Sequence, residues 1–468
     1  MVFDFPEGNM SIKKHEMDMT EGPLFKKILI FSLPLIFTGL LQCLYNAADL
    51  IVVGHFRGHI ALAAVGSTGA LNNLIVGLFM GISVGAGVCA AQYIGAHEYD
   101  KVKKVVHTSV LAALIMGVLV GAFGFALSKS LLTLMDTPEN VIEYSTLYIR
   151  IIFLGVPAVL LYNFCAAILR ATGDTKHPLI FLTISGIVNV GLNVLMVVCF
   201  DMGVEGVAIA TITSQYLSAI LVFVHMCRID SCIQIKLREI RIHKEHFLRM
   251  MKIGVPSGIQ GSLFSLSNVL FQSAINGFGD VIMAGNAAAA NIETFTWIIM
   301  NALHHTAVSF TAQNIGAKKY ERLGAVLRNC LVVVTAVWAV SAGIILIFGR
   351  QLVGLYAGDD PAVIQSGLNR VWIVITTHVI CGYMDVMCGA LRGMGRSFTS
   401  MMLTLIFNCG VRVLWLYTVF RVFSTPVSIY IAYPVSWGFS ALANLVAFII
   451  VLKHLMASKE AELLSPTL

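Results

Sequence analysis

Residues 31–54, FSLPLIFTGLLQCLYNAADLIVVG, are apolar for long enough to cross a bilayer as a helix, and they contain one carboxylate, Asp49. Holding an ionisable side chain inside a span costs several kcal/mol, so its presence points to function. A mechanism that moves protons or cations would explain that cost. Gln42, Tyr45 or Asn46, and Asp49 recur at helical spacing, which places them on one face. That face is expected to look into the protein.

The run is one of many. With 57% hydrophobic and 12% charged residues, the chain reads as a polytopic membrane protein. Twelve apolar segments are expected, at roughly 28–53, 61–92, 106–128, 143–169, 178–200, 206–227, 254–278, 281–315, 329–349, 368–391, 398–420 and 428–452. The first 22 residues mix acids with Lys13 and Lys14 and lack a signal-peptide pattern, so the first span is expected to be retained. Lys and Arg concentrate in alternate connections. Arg57, Lys129, Arg350 and Arg421 fall on the other side, and Arg150, Arg370 and Arg412 lie within spans. By the positive-inside rule both termini are expected to be cytoplasmic, and the expected location is the cell membrane. The net charge of +6 follows this topology and forms no basic stripe for nucleic acid.

The chain also repeats itself. AQYIGA at 91–96 returns as AQNIGA at 312–317, Pro34 as Pro256, and Arg170 with Gly173 as Arg392 with Gly395, at an offset of 221 or 222. The expected fold is all-α, with twelve transmembrane helices in two pseudo-symmetric six-helix lobes related by an axis along the membrane normal. This gives a tail at 1–22, an N-lobe at 23–227, a cytoplasmic linker at 228–253, a C-lobe at 254–453 and a tail at 454–468. The linker carries seven Lys or Arg, with Phe247, Leu248 and Met251 at helical spacing, and reads as an interfacial amphipathic helix or a solvated loop. Pro34, Pro157 and Pro256 fall inside spans, where kinks are tolerated. Gly77, Gly81 and Gly85, and Gly117 with Gly121, read as close-packing positions. The ten cysteines show no metal or disulfide spacing.

The duplicated spans, the first span with Pro34 and Asp49, the AQ.IGA motifs, and LRATGDT at 169–175 repeated as LRGMGRS at 391–397 together resemble the multidrug and toxic compound extrusion (MATE) transporters. The resemblance runs from about Gly22 to Lys453. It implies export of organic, often cationic and amphipathic compounds in exchange for Na⁺ or H⁺. It also implies a cation or proton coupling site at Asp49, Asn189, Asn193 and Thr211. Residue counts agree, since at 1.5 Å per residue Asp49, Asn193 and Thr211 lie about 7, 12 and 8 Å inside the same end of their spans. Asn193 stands where many members have a second aspartate, which leaves one carboxylate and opens the identity of the ion. Four oxygen-bearing side chains at one level suit a hard monovalent cation or a titrating carboxylate.

In the second half, Glu293, Asp385 and Arg412 are ionisable groups in apolar surroundings, joined by His304, His305 and His378. They are candidates for a substrate or second proton site, with a structural Glu293–Arg412 ion pair as the alternative. The acidic seventh-span position of one MATE branch is neutral here, near Gln260 or Phe264, so that branch's C-lobe ion site is not carried over. His304 and His305 are adjacent and cannot face the same way, which argues against a paired metal site. The expected cycle is alternating access by a monomer, with a small organic substrate and membrane lipid as partners, no nucleic acid, no cofactor, and no metal beyond Na⁺ at the coupling site. A flippase for a lipid-linked saccharide is the rival within the wider superfamily. A membrane-embedded enzyme lacks a nucleophile–base pair, metal-ligand spacing or phosphate-binding motif.

Overall fold

The computed structural model describes residues 17–135, 137–357 and 360–464, so residues 1–16 and 465–468 of the expected tails lie outside the described residues. Among the described residues the regular structure is helical, with no strand. The long elements are α1 (Leu24–Gly95), α2 (Tyr99–Leu134), α3 (Glu139–Ala171), α4 (Lys176–Val194), α5 (Val204–Arg228), α6 (Lys244–Asn276), α7 (Asp280–Gly316), α8 (Leu323–Ala357) and α9 (Pro361–Gly393). A segmented crossing follows, made of α10 (Ser397–Thr404), a π turn (Leu405–Gly410), α11 (Val411–Tyr417) and α12 (Val419–Val422). The last element is α13 (Pro426–Leu464).

α1 is helical for 72 residues without a break, which as a straight rod would span about 110 Å. It does not. Near its start Phe31 packs edge-on against Phe310 of α7, with centroids 5.5 Å apart, while Gly95 at its other end lies against Gln313, one turn further along α7. Both ends therefore return to one end of the bundle, and α1 folds back between Arg57 and Gly77. The short loop expected at 54–60 is replaced by helical turns. Among the described residues ten crossings are long and apolar enough to span a membrane, Leu24–Arg57 and Gly77–Gly95 being the two legs of α1. α6 and α7 are equally long but carry more polar side chains, and with them the crossings number twelve.

Two large cores hold these crossings. One joins the second leg of α1 to α2, α3, α5 and the start of α6. The other joins α7, α8, α9 and α13 and also takes in Met19, Ile28, Phe31 and Leu35, so the first turns of α1 pack with the second half of the chain. The linker helix expected before α6 is not a separate element. After a 3₁₀ turn at Leu237–Glu239, the positions Phe247, Leu248 and Met251 fall in the first turns of α6, which runs on through Pro256.

The sequence repeat recurs in the backbone. α3 and α9 each end on a left-handed glycine, Gly173 at φ +90° and Gly395 at φ +77°. Asp174 N–H bonds to Leu169 C=O at 3.0 Å and Arg396 N–H to Leu391 C=O at 2.9 Å, the six-to-one bond that closes a helix C-terminus through a left-handed residue, a conformation that favours glycine. His97 and Lys318, which follow the two AQ.IGA motifs, also share a positive φ.

The two halves meet through glycine. A Cβ on Gly81 would stand 2.2 Å from the backbone N of Gly258, so α1 and α6 touch backbone to backbone there. Gly77 has nothing within 4 Å. Gly81→Val is expected to lower the melting temperature of the detergent-solubilised protein, since overpacking of this kind costs about 1–3 kcal/mol. Gly77→Ala should leave it unchanged, and equal effects of the two would contradict the packing described.

Candidate functional site

Asp49 sits in the first leg of α1 and is buried, as are Asn189 and Asn193 of α4. Asn193 Nδ2 donates to Asp49 Oδ1 at 2.5 Å, and Thr211 Oγ1 of α5 shares its one proton between Val207 C=O at 2.9 Å and Asp49 Oδ2 at 3.2 Å. Asn193 Nδ2 also reaches Asn189 Oδ1 at 3.3 Å, one turn back on the same helix. The four residues singled out in the sequence thus converge, and three helices meet on one carboxylate. The donors offset the desolvation of Asp49. Asn193 Oδ1 is buried and accepts no hydrogen bond, leaving an oxygen acceptor beside the carboxylate without a donor.

The surroundings fix this geometry. α4 passes into a π turn at Leu195–Cys199 directly after Asn193, a local irregularity common near functional groups. Arg57, about two turns beyond Asp49 on α1, donates to Val197 C=O in that turn at 2.6 Å and to Asp201 at 2.8 Å. One turn before Asp49, the Tyr45 ring occupies the space a Cβ on Gly186 of α4 would fill. Of the face expected to look inward, Tyr45 and Asp49 do so. Gln42 and Asn46 stay exposed.

The second half does not assemble a matching site. Glu293 pairs with Arg370 of α9 rather than with Arg412, through Nε to Oε1 at 2.7 Å and Nη2 to Oε2 at 2.6 Å. Arg370 Nη1 also donates to Asn286, and the guanidinium lies over the Tyr430 and Tyr433 rings. Arg412 is fully buried, donates to Ser436 at 3.1 Å and Asn268 at 2.8 Å, and is wrapped by Phe264, Phe271 and Tyr433. Asp385 keeps one buried oxygen, Oδ2, without a partner. Among the described residues no hydrogen bond or ion pair joins Glu293, Asp385 and Arg412 to one another.

The histidines separate in the same way. His304 Nδ1 lies 2.7 Å from the Asp385 carbonyl, and its Nε2 lies 3.1 Å from Arg392 Nη1. This network assigns His304 as a neutral imidazole that donates from Nδ1 and accepts at Nε2. His305 stands edge-on to it at 83°, and His378 stacks on Trp437. The neutral seventh-span positions sit beside cations, Gln260 accepting from Arg392 at 2.9 Å and Phe264 facing Arg412.

The end of the bundle where the described chain starts, at Met17, and finishes, at Leu464, is closed by the repeat itself. Gln92 Nε2 donates to Gly393 C=O at 2.9 Å, and Gln313 Nε2 donates to Ala171 C=O at 2.7 Å. Each glutamine of an AQ.IGA motif thus reaches the helix end of the opposite half. A Cβ on Gly95 would fall 2.0 Å from Gln313 C=O, and one on Gly316 would fall 1.8 Å from Gln92 C=O. Residues 17–22 lie across this seam. Met17 N–H bonds to Thr172 C=O at 3.0 Å, Met19 N–H to Gln313 Oε1 at 3.0 Å, and Asn314 Nδ2 to Met19 C=O at 3.1 Å. Burial raises the Asp18 carboxyl in this strap, but hydrogen bonds from Thr20 and the charges of Lys27 and Lys319 hold it below the ordinary carboxylate range.

One cluster went unseen in the sequence. Asp174, His177 and His225 bring potential ligand atoms within 4.8 Å of one another at the same end. Asp174 accepts from the first N–H groups of α4, at Lys176 and His177, both at 3.1 Å, which accounts for it as a helix cap. The GDT sequence followed by a helix start carried that signal; His225, some fifty residues on, carried none.

A family model described as MatE matches residues 34–195 and again 256–418, the two matches offset by the same 222 residues as Pro34 and Pro256. "Probable multidrug resistance protein YoeA" of Bacillus subtilis (strain 168) is 26% identical over 400 residues, covering 83% of this chain and 86% of the relative. "Multidrug export protein MepA" of Staphylococcus aureus (strain NCTC 8325 / PS 47) is 22% identical over 383 residues, covering 81% and 84%. A solved structure described as the outward-facing conformation of a multidrug resistance MATE family transporter of the MOP superfamily superposes with a TM-score of 0.88 at 21% identity, covering 95% of this chain and 99% of that one. A Pyrococcus furiosus MOP superfamily transporter, whose binding pocket is described as of reverse polarity, gives 0.86 at 21% identity, covering 94% and 98%. These structural likenesses establish the fold.

The Glu293–Arg370 pair makes a stability prediction. Glu293→Gln strands a buried guanidinium and should lower stability by about 3–5 kcal/mol, whereas replacing both residues by Met should recover most of that loss. Thermal melts of the solubilised variants read this, and a double variant no more stable than Glu293→Gln would contradict the pairing.

Proposed function

This chain belongs to the MatE family, and from that premise we propose that it is a secondary antiporter exporting organic, cationic or amphipathic compounds from the cytoplasm in exchange for Na⁺ or H⁺. The observation that carries the reading is the Asp49 carboxylate, held by Asn193 and Thr211 with Asn193 Oδ1 left without a donor. Oxygen donors of this kind fit a hard monovalent cation, and the carboxylate alone fits a proton. An ion at Asp49 competes with Asn193 and Thr211 for the carboxylate oxygens and so alters how α1 meets α4 and α5. That supplies the differential affinity between two conformations on which coupled transport depends.

Alternating access is the accompanying cycle. The closed end, with its paired glutamines and strap, is taken as cytoplasmic because Lys and Arg concentrate on that side. Gln42 and Asn46 on α1, Ser265 on α6, and Asn291 and Thr294 on α7 are polar, sit within crossings, and are exposed. Polar groups at such depth favour a water-filled cleft over lipid, and this cleft is the proposed substrate path. Names of relatives as multidrug resistance and export proteins support the substrate class. A lipid-linked saccharide is less favoured, because Arg370 is already neutralised by Glu293, which leaves Arg412 and, at the inner end of α9, Arg392 as the second-half span cations bonded to neutral groups among the described residues.

Efflux of a fluorescent organic cation from proteoliposomes, under an imposed Na⁺ gradient and separately a pH gradient, tests the proposal. Wild type should respond to one of the two gradients, and Asp49→Asn should fall to the background of empty liposomes. Gradient-driven efflux that survives Asp49→Asn would transfer the coupling role to Asp385, since Glu293 is bound to Arg370.

A further inference from the structure

Where the linker crosses the start of α2, a cavity of about 550 Å³ opens at the end of the bundle that carries the AQ.IGA motifs. That size is within the range of small-molecule sites. Its cations come from two separate parts of the chain, Lys103 and Lys104 from the first turns of α2 and Arg238 and Arg241 from the linker. The linker segment is pinned there rather than floating. Lys236 N–H bonds to His107 Nε2 at 3.0 Å, and His243 N–H to Thr108 Oγ1 at 3.1 Å.

The charge of the cavity is not balanced locally. Two carboxylates line it, Asp100 and Glu239, and each already faces a lysine, Lys103 and Lys236, at 3.7 Å. Among the described residues no carboxylate stands within ion-pair distance of Lys104, Arg238 or Arg241. His243, on the cavity wall, has its pKa lowered by burial and then by the charges of Arg241, Lys104 and His107, as a positive field requires. Three uncompensated cations around a concave site suit a phosphate group.

Position along the membrane normal selects the form of that phosphate. Lys104 stands directly before the apolar run of α2, about 15 Å along the axis from the exposed Leu114, which places it at headgroup level. Leu237 and Ile242 are exposed beside Arg238 and Arg241, an alternation of apolar and basic side chains suited to the interface between headgroups and acyl chains. We infer that this cavity binds a phosphate-bearing anion, seated as the headgroup of an anionic phospholipid whose acyl chains lie along α2. The site is distinct from Asp49 and from the substrate path, and it couples the linker between the halves to the lipid around it.

Retention of lipid tests the inference. Full-length protein is equilibrated with micelles containing equal phosphatidylglycerol and phosphatidylcholine, passed over gel filtration, and its bound lipid extracted and quantified. A parallel arm measures equilibrium binding of radiolabelled inorganic phosphate to delipidated protein. Wild type should retain phosphatidylglycerol in excess, K104Q/R238Q should lose about fivefold of that excess for each cation removed, and Asp100→Asn, at an exposed position, should raise it. Inorganic phosphate should neither bind nor displace the lipid; phosphate binding lost in K104Q/R238Q would support the same site with a soluble phosphate as its ligand. Equal retention of the two lipids with no phosphate bound would overturn the inference, as would an excess unchanged in a monodisperse K104Q/R238Q. Should that variant fail to fold, Asp100→Asn decides, and no rise in retention counts against the site.

Discussion

The interaction on which the first half depends is the meeting of Asn193 and Thr211 on Asp49. A carboxylate cannot be left facing hydrocarbon, so the helices that carry its donors must stand beside α1 at one depth. This requirement fixes the register of α4 and α5 against α1, and Arg57 repeats the constraint about two turns further on by bonding into the π turn that follows Asn193. Apolar packing alone would not choose that register, because neighbouring Leu and Val side chains are nearly interchangeable in lipid. What positions the helices is also what an ion can perturb, since any cation or proton at Asp49 acts on the same oxygens that receive the two donors.

The duplication also builds the seam at the end of the bundle where the two AQ.IGA motifs meet. Gln92 and Gln313 are equivalent in the repeat, and so are their acceptors, Gly393 and Ala171, so one hydrogen bond is made twice across the seam. The glycines beside them, Gly95 and Gly316, have no room for a side chain while the seam is closed. A contact of this kind is either made or broken. It has no graded intermediate, because separating the backbones removes both hydrogen bonds and the close approach together. The strap at residues 17–22 bonds to both halves and belongs to the same closed arrangement.

Much of this was legible in the residues. Asp49, Asn193 and Thr211 could be set at one depth because helical rise converts residue number into distance, and Asn189 joined them by being one turn from Asn193. The AQ.IGA repeat announced two equivalent halves, and Gly173 and Gly395 recurred because both helix ends need a left-handed residue. Direction around a helix was not legible in the same way. A Glu293–Arg412 pair was open in the sequence, yet Arg370 faces Glu293 and Arg412 turns toward Asn268, Ser436 and three rings, a choice set by packing among helices distant in sequence. Nor could composition show that α1 reverses without leaving helical geometry, since the apolar signal on either side of the reversal is the same.

The proposed antiport requires an ion at Asp49 to bias whether the end that carries the AQ.IGA motifs is closed. It is tested most directly by a distance across that end. Nitroxide labels at Ala96→Cys and Ala317→Cys, equivalent positions beyond the two glutamines, would be read by pulsed electron spin resonance after replacement of Cys43, Cys199, Cys227 and Cys409, the cysteines that are not fully buried. Coupling at Asp49 predicts a short and a long population whose ratio shifts with either Na⁺ or pH in the wild-type background and is fixed in Asp49→Asn. Populations indifferent to both ions, or an Asp49→Asn protein that responds as wild type does, would contradict it.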